Sequence, residues 1–589
     1  MIDYTRVPEL NRDDVIAHLV RRDTPELLMS FTDLDTRRVD VAGGTWFTVG
    51  LDSNQLDQLA RGGSDPAIAD RLVRAQRDAM IVLVAVESEG PVSVGAWKGL
   101  LAGRDIFFAV LDSGSVIVSD HFRNVISFVP PGKRAPGDDA LLEHYLCGWV
   151  YDRGTYSDAV DRIAAGDRLH IDLRSGDVSI ELIDRMMTSS DAGALPGAIE
   201  GVEAALEEIM APLRDDPDVS MTFSGGVDST LLATFLDDRA PLVTMTTDTP
   251  EFHGETEYAL AAARLLNRKL TPAPLVESNY EAMLNDSIDR MATPAQHYVT
   301  PLLAALYLRP ETTYILGEGA DSVFGSGRGM QRVSGAMASA PARAALGLLQ
   351  HIPGTIGGRS SQILAYATRY AQPRDSTEGQ TGRALTFGDT SLVESIVGEA
   401  AVNRVLESHM EVIRQRVEME APASHRFLSH LEMIQWRNTL GDLATVDRLL
   451  ANASGKRVVM PFTSPRVVSE LARVPVAQRY IKGLAGKWML KEILSKRVPG
   501  YAVNQRKYAT GLPFERYYQS GPLSGIWDRY DVPEFISPAI RASVVAKPTA
   551  MTWNAITHAI WSERIERNAN LRPLPAVLDY REALSTPSG

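Results

Sequence analysis

The stretch of this chain best equipped for chemistry is Phe223-Ser224-Gly225-Gly226-Val227-Asp228-Ser229-Thr230. Gly225 and Gly226 permit a turn tight enough for backbone N–H groups to converge on an anion, and the hydroxyls of Ser224, Ser229 and Thr230 add donors. The apolar run Val219-Ser-Met-Thr-Phe223 predicts a strand before the loop, and Leu231-Leu-Ala-Thr-Phe-Leu236 predicts a helix after it. The loop then lies at a helix N-terminus, whose partial positive charge favours phosphate. A carboxylate inside a phosphate cradle is repulsive unless a divalent cation lies between them, which makes Asp228 a candidate Mg²⁺ ligand. A second glycine-rich stretch, Gly317-Glu318-Gly319-Ala320-Asp321, follows a predicted strand near Thr313–Leu316. In a parallel sheet the loops after the strands share one edge, so Gly317 would flank the first loop and Asp321 would share its cation. Taken alone, either stretch also reads as a strand-to-helix turn with capping side chains.

The elements that must position these loops come from the alternation around them. Strands at Val219–Phe223, Leu242–Thr246 and near Thr313–Leu316 alternate with helices over about 197–213, through Leu231–Leu236 and through Tyr258–Leu266. This alternation predicts a parallel sheet covered by helices. From about residue 390 helical periodicity dominates, as in Val402–Val417 and Phe427–Leu440, and the polar segment Gln372–Arg383 reads as a mobile insertion. The first 190 or so residues are instead strand-rich, with Met80–Val86, Ile106–Leu111 and Ser115–Ser119 as short apolar runs. Leu169–Leu173 and Val178–Leu182 form a candidate hairpin, and one helix is expected from Asp138 to Tyr151. Ser189–Pro196 reads as a linker, dividing the chain into 1–190 and 195–589.

Composition excludes several classes. With 589 residues the chain is large enough for two domains, and 60 basic against 74 acidic residues give a net charge of −14, which repels a nucleic-acid backbone. The single cysteine, Cys147, can form neither an intramolecular disulfide nor a zinc pattern, and it lies among apolar residues as core positions do. No run approaches the ~20 apolar residues of a membrane span, and the N-terminus lacks the marks of a signal peptide, so cytoplasmic residence without membrane attachment is expected. His253, His297, His425 and His430 have no metal-ligand spacing and read as structural or surface residues.

The first loop resembles the PP-loop of ATP pyrophosphatases, which cleave between the α- and β-phosphates, and differs from the GxxxxGK[ST] loop. With Gly317-Glu318-Gly319-Ala320-Asp321-Ser322-Val323-Phe324-Gly325 it resembles the asparagine synthetase superfamily. Further likeness lies in Val446-Asp447-Arg448 through Pro461-Phe462, in Lys482-Gly483 with Lys487–Lys491, and in Arg506-Lys507 before Gly511. The resemblance covers roughly 195–560. It implies an α/β protein with an Ntn-type αββα glutaminase-like domain over 1–190 and a parallel-sheet PP-loop synthetase domain with a helical extension over 195–589. It further implies ATP and Mg²⁺, with AMP and pyrophosphate as products. Asp228 and Asp321 would hold the metal. Ser224, Gly225, Gly226, Asp228, Ser229, Thr230, Gly317, Lys487 and Arg506 would bind ATP or pyrophosphate, and Lys507 would face the developing oxyanion as the catalytic lysine.

The departures bear on the substrate. Ser322 stands where the family has Glu, and Gly511 comes late in its loop. Lys456 or Arg457 replaces the acid expected after V-D-R, which implies an acceptor pocket of altered charge. Asparagine synthetases release ammonia from glutamine with a terminal cysteine. Position 2 here is Ile, so the first domain reads as degenerate, retained for structure. Loss of that nucleophile is typical of β-lactam synthetases and lasso peptide cyclases, in which an amine of the substrate itself attacks the adenylate. The reading that follows is intramolecular amide formation on a precursor peptide, with a maturation peptidase as a companion. The alternatives are a small-molecule amide or β-lactam synthetase, an ammonia-dependent amidotransferase, and an inactive scaffold.

Overall fold

The computed structural model describes residues 26–88, 90–187, 197–247, 249, 253–325, 390–418, 432, 436–437, 439–480, 486–504, 512–575 and 578–583. The expected linker, the insertion at 372–383, nearly all of the helix expected over 427–440, Ile2, Arg506, Lys507 and Gly511 lie outside the described residues.

Residues 26–187, joined by Leu578–Ala583, build two facing sheets. One runs Leu578–Ala583, Glu26–Phe31, Val116–Ser119, Phe107–Val110, Asp161–Arg162, and the other runs Val178–Leu182, Asp167–Asp172, Gly90–Lys98, Met80–Glu87, Gly44–Val49, Arg37–Val41. The alternation of strand side chains fixes the layers. Leu27, Met29 and Phe31 point between the sheets against Phe47, Val82, Val94 and Leu169, whereas Leu28 points out to a second core. Outside the second sheet, Trp46, Ile81, Leu83 and Trp97 are covered by helices Ser53–Gly62 and Pro66–Ala75. Outside the first, Leu28, Phe107 and Ile117 share a core with helices Asp138–Cys147 and Ala550–Trp561. The helix expected to reach Tyr151 stops at Cys147, because Gly148 turns left-handed (φ 79°) and donates its N–H to His144 O at 2.7 Å. The last strand, Leu578–Ala583, pairs antiparallel with Glu26–Phe31 and so crosses the division suggested at residue 190.

The second sheet system is five-stranded and wholly parallel: Leu270–Leu275, Leu242–Thr247, Val219–Thr222, Thr313–Ile315, Arg457–Val459 from edge to edge. Leu270–Leu275 contains Pro272 and Pro274, and it occupies an edge, where a proline without an N–H can sit. Val219, Met221, Leu242 and Ile315 face one core with helices Ala198–Met210 and Trp488–Arg497. Val243, Tyr314 and Val458 face the core shared with the first unit. Chain order reverses at Val219–Thr222, which has the second strand on one side and the fourth on the other. Beyond the carboxyl ends of the strands at such a switch point no crossover helix closes the crevice, and ligands bind there.

Candidate active site

Val219–Thr222 delivers the first glycine-rich loop to that crevice. Gly225 has φ +72°, and a Cβ there would stand 2.8 Å from Ala259 Cα and Tyr258 O, so backbone packing as well as conformation demands glycine. Gly226 caps the helix Val227–Ala233, which is shorter than the run to Leu236 predicted from sequence. Ser229 Oγ lies 3.2 Å from Ser224 Oγ and accepts from Ser224 N at 3.3 Å, closing the loop on itself. Tyr501 OH donates to Gly225 O at 2.6 Å and pins the loop from outside. The first-turn amides of the helix have no intrahelical acceptor. Thr230, the other hydroxyl of the loop, is fully buried, and its Oγ1 has no partner.

Thr313–Ile315, the neighbouring strand, delivers Gly317 and Asp321. A Cβ on Gly317 would lie 3.5 Å from Asp228 Cβ and 3.7 Å from Ser229 N, so the two loops are in contact. Gly319 is left-handed (φ 84°), and a Cβ there would come within 2.3 Å of Thr463 in the Pro461-Phe462-Thr463 turn. Asp321 follows in the first turn of helix Ala320–Phe324. Ser322, the residue in place of the family's Glu, points inward instead: its Oγ bonds Thr439 Oγ1 and its carbonyl accepts from Tyr480 OH.

Lys487 joins the loops. Its Nζ lies 2.6 Å from Asp228 Oδ2 and 2.9 Å from Asp321 Oδ2. Burial opposes its charge, but the two carboxylates outweigh burial and raise its pKa, so it stays an ammonium. Lys487 is itself left-handed (φ 53°) and heads the helix Trp488–Arg497, which Trp488 anchors by donating to Gln478 O at 3.0 Å. Asp228 Oδ1 is buried and has no partner. An orphaned carboxylate oxygen beside a second carboxylate suits a hard divalent cation, so the residues fit Mg²⁺. Among the described residues no three His, Cys, Asp or Glu side chains converge on a metal position, so phosphate and water oxygens must complete the coordination.

Lys456 and Arg457 are not part of this site. Lys456 Nζ donates to Arg309 O at 2.7 Å and Arg457 pairs with Asp35 at 2.8 Å, both at the amino end of Arg457–Val459 and at the opposite edge of the sheet. The acceptor pocket of altered charge expected from this pair finds no support in its placement, since strand direction puts both residues at the end of Arg457–Val459 away from the loops. The acid of the V-D-R motif is Asp447. It is buried, its Oδ1 accepts from Tyr307 OH at 3.4 Å, and burial and the charge of Glu318 push its pKa well above the carboxylate range. Asp447 was visible in the V-D-R motif without a role, whereas Tyr501 carried no signal in the sequence. His297 is half-buried, and desolvation lowers its pKa to about 4, as befits a structural histidine. Cys147 is 1% exposed in the core shared by both units.

Residues 201–542 match the family model described as Asparagine synthase, more than half of the chain. Proteins of Mycobacterium bovis and of two strains of Mycobacterium tuberculosis, each named "Putative asparagine synthetase (glutamine-hydrolyzing)", are 24% identical over 450 residues, covering 72% of this chain and 67% of each relative. No helix among the described residues is long and apolar enough to cross a membrane.

Proposed function

This chain belongs to the asparagine synthase family, and we propose that it adenylates a carboxylate with ATP and joins it to an amine of the same substrate. ATP-dependent amide formation is the family's chemistry. The observation that carries the adenylating part is the convergence of Asp228, Asp321 and Lys487 on the phosphate loop at the switch point. Ser224, Ser229 and the first-turn amides bind the departing pyrophosphate, and Asp228 with Asp321 would hold Mg²⁺, which supplies neutralisation of phosphate charge. The substrate carboxylate attacks the α-phosphorus and pyrophosphate leaves. The amine then attacks the acyl carbon, and AMP departs. Lys507, on the resemblance of its loop, supplies positive charge to both steps.

The amine is proposed to come from the substrate because the one cysteine of the chain is Cys147, sealed in the core, so a thiol-dependent glutaminase has no candidate here. On this reading the first unit is a degenerate glutaminase domain that serves as a wall of the shared core. The form proposed is that of a lasso peptide cyclase closing a macrolactam on a precursor peptide, delivered by a companion peptidase. A β-lactam or other small-molecule synthetase uses the same site. Relocation of Lys456 and Arg457 away from the crevice removes one argument for an altered acceptor, which keeps an ammonia-dependent amidotransferase as the second reading.

ATP–pyrophosphate exchange with candidate carboxylates tests the first half-reaction, and mass spectrometry tests the second. A cyclase gives the substrate minus one water without added ammonium, since one folded-back substrate holds both reacting groups. A product formed only with ammonium, about one mass unit lighter than the acid, would sink the cyclase reading. Cys147→Ala retains exchange and neither the parent nor the variant releases glutamate from glutamine; glutamate release lost on that substitution would restore a glutaminase.

A further inference from the structure

We infer that Lys487 is an internal counter-ion that excludes bare divalent cations from the Asp228–Asp321 site until nucleotide brings both a metal and a new partner for the ammonium. The inference rests on the ATP reading above and deepens it by giving the order of loading. Nζ of Lys487 bridges one oxygen of each carboxylate, at 2.6 and 2.9 Å. A cation bridging the same pair has to share or displace that position. Asp228 Oδ1 is the inner oxygen left open to a cation among the described residues, buried and unpartnered. Three formal charges, two negative and one positive, leave a single net negative charge for a free Mg²⁺, and no third metal-binding side chain converges among the described residues. Bare metal is thus held weakly.

Nucleotide changes both sides of that balance. Its phosphate oxygens complete the coordination of the metal and offer the ammonium acceptors of its own, so Lys487 can turn from the carboxylates to the phosphates without becoming an unpaired buried charge. The motion is small, because Lys487 caps its helix and carries the ammonium on a flexible four-carbon stem. Metal and ATP then enter together, and a lone cation does not block the cradle.

The test titrates the full-length protein with Mn²⁺, read by electron paramagnetic resonance, with and without ATP. The parent is expected to bind Mn²⁺ weakly alone and tightly with ATP. Lys487→Met and Lys487→Gln are expected to bind Mn²⁺ alone about tenfold or more tighter than the parent, because the competing ammonium is gone. Adding Asp228→Asn to Lys487→Met should erase that gain. If both single variants are folded by circular dichroism and bind bare Mn²⁺ no tighter than the parent, the counter-ion role is overturned while the ATP reading stands. A parent that binds Mn²⁺ no tighter with ATP than without it overturns the ATP reading and this inference together.

Discussion

Asp228 has two oxygens in two different situations, one on the Lys487 ammonium and one buried without a partner. That asymmetry separates the role of this carboxylate from that of an ordinary helix-terminal acid, which would have both oxygens in water or on backbone amides. Asp321 is half exposed where Asp228 is mostly buried, so the two acids present one inner and one outer position to a cation. Substituting Asp228→Asn keeps the shape and removes the charge that both the metal and Lys487 need. ATP–pyrophosphate exchange should fall by about 100-fold or more, with the far-ultraviolet circular dichroism unchanged. Asp321→Asn should act in the same direction. Normal exchange in either variant would remove that residue from the metal site.

At the scale of elements, the site is made by the ends of two adjacent parallel strands and the start of one distant helix. The loop after Val219–Thr222 needs glycine at 225 for two independent reasons, a left-handed backbone and the backbone of Ala259 at 2.8 Å. Gly455 is a built-in control, being left-handed too (φ 63°) but with nothing within 4 Å of an added Cβ. Gly225→Ala should cost about 1–3 kcal/mol or displace the helix His253–Leu265 and abolish nucleotide binding, whereas Gly455→Ala should cost about 1 kcal/mol and leave binding intact. Urea denaturation paired with a nucleotide-binding titration checks both. Equal effects of the two substitutions would show that the loop tolerates repacking.

On the scale of the whole molecule, the two sheet systems are joined by buried polar groups set in a continuous core. Arg134, fully buried, donates to Ile565 O at 2.9 Å and Asn568 O at 2.6 Å. His144 donates from Nε2 to Asn554 O at 3.0 Å and accepts from Tyr156 OH at 3.1 Å, and His121 donates to Leu449 O at 3.1 Å. Burial lowers the pKa of His144 to about 4 and those of His121 and His558 to about 3, against 6.5 when unfolded. These imidazoles are neutral in the fold at every pH above those values. Below 6.5 the unfolded chain takes up protons that the fold refuses, so stability is present above 6.5 and is lost as pH falls toward 4. Asp120 acts in the opposite sense, since burial raises its pKa to about 7 from 3.8 and its cost is relieved as pH falls. His144→Gln keeps a donor for Asn554 O and removes one titrating group. Its urea midpoint should therefore fall less between pH 7 and pH 5 than that of the parent, and an unchanged difference would clear His144 of the acid sensitivity.

The phosphate loop, the second glycine-rich loop and the strands carrying them were legible in the sequence because each is a local pattern: glycines where the backbone must turn, an apolar run before and a helix after. Period-two and helical spacing likewise placed Met80–Glu87, the Asp167–Leu182 hairpin and the helix Ala198–Met210. Leu270–Leu275 was missed because its prolines argue against a strand until an edge position is known, and edge or centre is a property of the sheet. The placement of Lys456 and Arg457 away from the loops has the same origin, since strand direction decides which end of Arg457–Val459 meets them. Lys487 shows the limit most plainly. Its spacing on a helix is that of any surface lysine, and only the packing of that helix against the loop helix places its ammonium between two carboxylates from other parts of the chain. Sequence determined which segments turn, extend or coil, because those choices cost or gain free energy within a few residues; which charges share a buried site is set by contacts between distant segments, and tertiary structure alone decided it.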